Sequence, residues 1–299
     1  MKNIIKYYYD LSPKYVYQND NQFFFSINKV NYVLSMVDLT YESANNLYEM
    51  DYYLLNKGIY VHQIIINREN SICTIVNGNQ YILMKINISN RNIEKNDLIR
   101  LNSIALFDKF NIKWQKLWSD KVDYFENQIN QIGKRYPIIN KSIGYYIGLS
   151  ENAISLIGNV NLSVGYLAHI RVSSNDSIYD LYNPINIIID SRVRDISEYF
   201  KSLFFNNKKV DGNIILSLVK EYLISTNLSN DELILFYARM LYPSYYFDAY
   251  EDVMIGKINE KDLLIYINKS YEYELLLKHI YNYIISYYSF PEIEWIMLD

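Results

Sequence analysis

The chain has 299 residues, 50% hydrophobic and 21% charged, a balance that fits one large or two smaller globular domains and excludes a disordered chain. A net charge of −4 argues against nucleic-acid binding through a broad basic field, and one cysteine excludes a disulfide framework. No uncharged apolar run reaches 18 residues and "MKNIIKYYYDLSPK" has no signal-type apolar segment, so membrane insertion is not expected and synthesis in the cytoplasm is.

In chain order, "FFFSINKVNYVLSMV" (23–37) reads as two strands around a polar turn. Residues 41–57 carry helical spacing through Leu47, Met50, Tyr53 and Leu54, and Gly58 is placed to end that helix as its C′ residue. "VHQIII" (61–66), "SICTIVN" (71–77) and "QYILMKI" (80–86) read as strands, the last two joined by Asn77-Gly78, a strong hairpin signal. Cys73 sits in the second of these and is expected to be a buried, reduced thiol.

After Ile86 the period changes. From about residue 94 helical spacing dominates, most clearly where Trp114, Trp118, Val122, Phe125, Ile129 and Ile132 form one apolar stripe. "SIGYYIGLSENAIS" (142–155) reads as a glycine-permitted turn followed by a helix capped at Ser150. One strand-like run, "INIIID" (185–190), interrupts the helices, and segments 211–225, 229–242 and 259–288 are amphipathic. The expected architecture is therefore α+β, with a small antiparallel-sheet lobe carrying one helix over 1–88 and a large helical lobe over 89–299.

Several chemistries are poorly supported. His62, His169 and His279 have no ligand-type spacing for zinc, and no Gly-x-Ser-x-Gly elbow is present. The 33 tyrosines fit either an AT-rich codon bias or a surface suited to stacking and cross-linking, and composition does not separate the two. The aromatic C-terminal run "YNYIISYYSFPEIEWIMLD" fits either core packing or an exposed docking patch.

Three segments together, "KWQKLWSDKVDYFENQI", "GYYIGLSENAIS" and "INIIIDSRVRDISEYFKS", resemble the spore-coat-associated, kinase-like proteins of endospore-forming Firmicutes, distant relatives of aminoglycoside and choline phosphotransferases. The resemblance covers roughly residues 20–290 and rests most on the Trp114–Trp118 pair, the "GYYIGLSENAI" segment and Arg194-Asp195. It implies a bilobal protein-kinase-like fold of the aminoglycoside phosphotransferase type. It also implies residence first in the cytoplasm and then in the spore coat, with other coat proteins as partners.

Phosphoryl transfer needs backbone amides or a cation over the phosphates, groups that hold Mg²⁺, and a base near the acceptor hydroxyl. Against that frame, the turn over residues 27–31 has no glycine, and Ser35 stands where the strand lysine belongs, with Lys29 and Lys85 in nearby segments. The resemblance places His169-Ile170-Arg171 on the catalytic loop, so that an arginine replaces the aspartate that orients the acceptor. Asp176, beside Asn175, falls where the relatives place a metal-binding asparagine, though the same loop also reads as plain solvated turn. Asp190, at a strand end, falls where they place a metal aspartate. Asp195 is read as structural, a helix cap or an ion-pair partner of Arg192 or Arg194, and Arg194, Trp114 and Trp118 are read as structural with it.

The expectation is a pseudokinase-like scaffold for coat assembly, without phosphotransfer and without a cofactor. The alternative is an active small-molecule or protein kinase that uses ATP and holds Mg²⁺ at Asp176 and Asp190. A third reading keeps a ligand cleft without turnover.

Overall fold

The structure, a computed structural model, describes residues 1–107 and 113–297. In chain order it contains α1 (Lys2–Tyr9), β1 (Tyr17–Asn19), β2 (Gln22–Ile27), β3 (Val30–Val37), α2 (Tyr41–Asn56), β4 (Gln63–Ile65), β5 (Thr74–Val76) and β6 (Asn79–Ile86). There follow α3 (Lys95–Asn102), β7 (Ala105–Phe107), α4 (Trp114–Ile132), α5 (Pro137–Leu156), β8 (Gly165–His169), α6 (Ile178–Leu181), β9 (Ile187–Asp190) and α7 (Arg194–Asn206). The chain ends through α8 (Gly212–Thr226), α9 (Asn230–Leu241), α10 (Ser244–Met254), α11 (Leu264–Asn268), α12 (Ser270–Tyr287) and α13 (Glu294–Met297). Two compact units result, one formed by Met1–Asn92 with Ser177–Ile187, the other by Ile93–Asp176 with Ile188–Asp299. The return of 177–187 to the first unit has no counterpart in a single linear boundary.

The first unit is an antiparallel sheet in the order β1-β2-β3-β6-β4, with β5 also on β6. Strand alternation assigns its two faces. Leu34, Tyr81 and Leu83 face one way and pack with Ile5 and Tyr9 of α1, while Val33, Ile82 and Met84 face the other with Leu47 and Tyr48 of α2. α1 was not legible in the periodicity; its apolar side is only Ile5 and Tyr9. The turns follow the residue types. Asn77-Gly78 has φ of 52° and 81°, the left-handed pair of a two-residue hairpin, and Gly58 at φ 74° ends α2 as expected. Cys73 is only partly buried, and burial pushes its thiol up. The 177–187 segment is tied to this unit by the Asn92–Ser177 bridge and by a bond from the His62 main-chain N–H to the Tyr182 carbonyl (2.8 Å).

The second unit is mainly helical around aromatic layers. Phe125 of α4 stacks on Phe247 (centroids 4.4 Å apart), and Tyr146 of α5 stacks on Tyr246 at 3.6 Å. These pairs anchor α4 and α5 against α10, a helix the periodicity left unread. The expected long helix over 259–288 is instead a 3₁₀ turn followed by α11 and α12, broken at Lys269. Among the described residues no helix is long and apolar enough to cross a membrane.

One expectation is overturned. Residues 142–155 contain no turn and no helix start, because α5 runs unbroken from Pro137 to Leu156. Ser150 is buried inside that helix and donates to the Tyr146 carbonyl at 2.8 Å, so it is not a cap. Proline at the first position starts the helix instead. Gly144 and Gly148 lie mid-helix, and a Cβ at either would meet nothing within 4 Å. Gly144→Ala and Gly148→Ala are therefore expected to stabilise the protein by roughly 0.5–1 kcal/mol each, through the lost backbone freedom of the unfolded chain. Urea unfolding reads this directly, and a loss of stability in either variant would contradict the packing described.

Candidate functional site

The site in the second unit is built where β8 and β9, in the sheet order β7-β8-β9, end side by side in His169 and Asp190, ahead of α7. Strand ends place polar groups at the rim of a sheet whose interior residues, Leu167, Ala168 and Ile187, are buried.

His169 and Asp195 form its fixed frame. The Asp195 carboxylate accepts from His169 Nδ1 at 2.7 Å, from the His169 main-chain N–H at 3.0 Å and from the Asn102 amide at 2.8 Å, all fully buried. Burial alone would push the Asp195 carboxyl up; the imidazole and these donors outweigh it and hold it below the ordinary carboxylate range. The bonds of Asp195 go to His169 and Asn102 and not to the neighbouring arginines. Arg192 reaches Glu232 with two bonds of 2.6 Å, and Arg194 reaches Asp190. Nor is Asp195 a cap: it sits inside α7, whose N-cap is Val193.

Asp190 is fully buried between two guanidiniums. Arg194 Nη1 donates to Oδ2 at 2.6 Å and Arg239 Nη2 donates to Oδ1 at 3.3 Å, while the Ser191 main-chain N–H also donates to Oδ1. Arg194 does more than pair: its Nε donates to the His169 carbonyl and its Nη2 to the Ile170 carbonyl, both at 2.9 Å. One side chain therefore locks the loop backbone to the carboxylate. Trp114 lies over Arg239, 4.2 Å from ring centre to Cζ, with Arg194 at 5.5 Å, and Trp118 stands 5.8 Å from Arg239. The Trp-x-x-x-Trp helix thus roofs the arginines that hold Asp190.

The remaining loop residues are engaged locally. Arg171 is largely exposed and donates to Asp248 of α10 at 2.7 Å. A carboxylate does stand near the loop, therefore, but it faces Arg171, and the groups against Asp190 are cations. Asp176 accepts from the Ser173 main-chain N–H at 2.7 Å and closes its own turn, while its carbonyl takes the Ile93 N–H.

These groups do not fit a magnesium ion. Both Asp190 oxygens are bonded to guanidiniums that would repel a dication, and Asp176 caps a loop. Among the described residues no cluster of three histidine, cysteine or acidic side chains is arranged to hold a metal.

In the first unit, Ser35 is buried on the α2 face of the sheet and its hydroxyl has no partner. Asp51 of α2 is buried too. One oxygen accepts from the Ile64 N–H at 3.1 Å, the other has no partner, and burial pushes the carboxyl up to about 6. A lysine would neutralise such a carboxylate; Lys85, opposite Tyr32, projects from the other face of the sheet, and Lys29 is exposed in the β2–β3 turn.

Arg239 was missed from sequence. The available signal was a lone arginine in the apolar run "LILFYARML", since a buried guanidinium requires a partner.

If Asp190 serves as counter-ion, Asp190→Asn leaves two buried arginines uncompensated. Denaturant unfolding is expected to show a loss of about 3 kcal/mol, in the range found for breaking buried ion pairs. A metal ligand stripped of its metal would behave oppositely, and unchanged or increased stability would contradict the assignment.

Comparison with known proteins bears on both fold and family. Residues 2–280 match the family model described as "Spore coat putative kinase YutH". The chain is 25% identical over 274 residues to the endospore coat-associated protein YutH of Bacillus subtilis (strain 168), covering 82% of this chain and 80% of that one. Among solved structures it is similar to an aminoglycoside phosphotransferase from Alicyclobacillus acidocaldarius, with a TM-score of 0.66 at 11% identity over 96% of each chain. It is also similar to a spectinomycin phosphotransferase in complex with ADP and spectinomycin, with a TM-score of 0.55 at 13% identity over 94% of this chain and 92% of that one. The structural matches show the kinase-like phosphotransferase fold expected from the sequence, and the family model, matched over residues 2–280, shows that the chain belongs to the spore coat YutH family.

Proposed function

We propose that this protein works in the spore coat as a binding protein that keeps a phosphotransferase frame and has given up phosphoryl transfer. The observation that carries the reading is Asp190, held by Arg194 and Arg239 where the fold would present a metal aspartate. Two replacements support it. Ser35 supplies no charge to a phosphate, and Arg171 cannot accept a proton from an acceptor hydroxyl. The His169–Asp195 pair, by contrast, fixes backbone and performs no chemistry in itself, so its retention is what a protein needs to hold its shape.

The coat setting is supported by the relative, which is described as endospore coat-associated. The partners in this reading are other coat proteins, met after synthesis in the cytoplasm. The alternative, an active kinase with ATP and Mg²⁺, requires Asp190 to exchange two guanidiniums for a dication and leaves Arg239 to Glu198 and Asp195, which are already engaged by Lys201 and His169.

Thermal melting with and without millimolar ATP and Mg²⁺ tests the proposal, because a ligand bound only by the folded state at a hundred times its Kd adds about 2.7 kcal/mol of stability. An unchanged midpoint, and no ADP formed on prolonged incubation, is expected. A magnesium-dependent rise in the midpoint that Asp190→Asn abolishes would contradict it.

A further inference from the structure

A pocket of about 260 Å³ opens in the second unit in front of the arginine cluster. Trp114, Trp118 and Tyr242 form its apolar wall, with the Trp118 and Tyr242 rings stacked 4.4 Å apart. Arg171 and Lys121 line it as exposed or partly exposed cations, Arg194 as a half-buried one and Arg239 as a buried one, and the Glu198 and Asp248 carboxylates line it too.

Most of these charges are paired. Lys121 is paired with Glu251, and Arg171 with Asp248. Buried Lys201 is paired with Glu198 and is further bonded to the Arg239 and Tyr242 carbonyls and to Ser244. Among the described residues Arg194 and Arg239 share the carboxylate of Asp190, and the Glu198 and Asp195 carboxylates also act on Arg239. Arg239 is the less satisfied of the two. It is 4% exposed, its ion pair is the longer at 3.3 Å, and its Nε is buried with no hydrogen-bond partner. A buried donor left unmade is costly, and a buried cation without full compensation more so.

We propose that this pocket binds a small oxyanion, a carboxylate or a phosphate monoester, carried on a flat apolar body. The oxyanion supplies the acceptor lone pairs that the Arg239 Nε lacks, and guanidiniums suit both classes through paired N–H donors. The flat body lies against the indole and phenol rings, where an apolar or aromatic ligand buries area without leaving polar groups unpaired. The cavity is small, so the ligand is a metabolite-sized molecule or a single terminal group. The proposal uses the same Asp190 cluster as the inert reading but is measured without nucleotide or metal, so either can fail alone.

Calorimetric titration of the full chain with phenyl phosphate, benzoate and benzylamine tests it, followed in parallel by tryptophan fluorescence, since Trp114 and Trp118 wall the pocket. Phenyl phosphate or benzoate is expected to bind saturably at one site, and the tighter of the two identifies the oxyanion class. Benzylamine, the cation of matching shape, is expected not to bind at about 10 mM. Arg171→Gln, which removes a cation and leaves Asp248 unopposed at an exposed position, is expected to weaken binding about tenfold with an unchanged melt, and Lys121→Gln similarly. The proposal is overturned if neither anion binds, if benzylamine binds as well as benzoate, or if both variants bind like the unmodified protein.

Discussion

The Asp190 carboxylate, buried against Arg194 and Arg239, organises the second unit around it. It joins the end of β9 to the start of α7 and, 49 residues further on, to the last turn of α9. Through Arg194 it also holds the carbonyls of His169 and Ile170, so the loop after β8 takes its course from the same charge. The tryptophans of α4 close the cluster from above. A buried ion cluster of this kind is weak evidence for net stability, since desolvation offsets much of the attraction, but it is unforgiving of the loss of any member. Under the proposed function, that asymmetry holds the aspartate in place as counter-ion to its arginines.

The frame and the chemistry have separated. His169, Asp195 and Asn102 form a fully satisfied buried network that sets the loop backbone. The positions that would touch phosphate, metal or acceptor carry Ser35, Asp190 tied to arginine, and Arg171. In the first unit the same separation leaves a trace, because Asp51 stays buried with one oxygen unpartnered and its carboxyl pushed up.

Much of this was legible in the sequence, for identifiable physical reasons. The Asn77-Gly78 hairpin, the Gly58 helix end and the Trp118-Val122-Phe125 stripe are local signals, set by residues a few positions apart. The loop His169-Ile170-Arg171 was assigned through a family resemblance rather than through local pattern. What failed was anything decided at long range. Asp195 was assigned to arginines one and three residues away, while its partner is His169, 26 residues earlier on another strand. Arg239 was missed because its partner Asp190 lies 49 residues off. The two glycines in "SIGYYIGLSENAIS" suggested a turn, yet the apolar residues around them, Ile143, Tyr146, Ile147 and Leu149, are buried at helical spacing and keep α5 intact despite weak propensity.

The central claim is that Asp190 belongs to its arginines and takes no metal. Titration of the protein with Mn²⁺, with and without ADP, followed by electron paramagnetic resonance of the free ion, tests it most directly. The account predicts that the free-ion signal is the same with Asp190 or asparagine at that position. A stoichiometric loss of free Mn²⁺ that Asp190→Asn restores would contradict it.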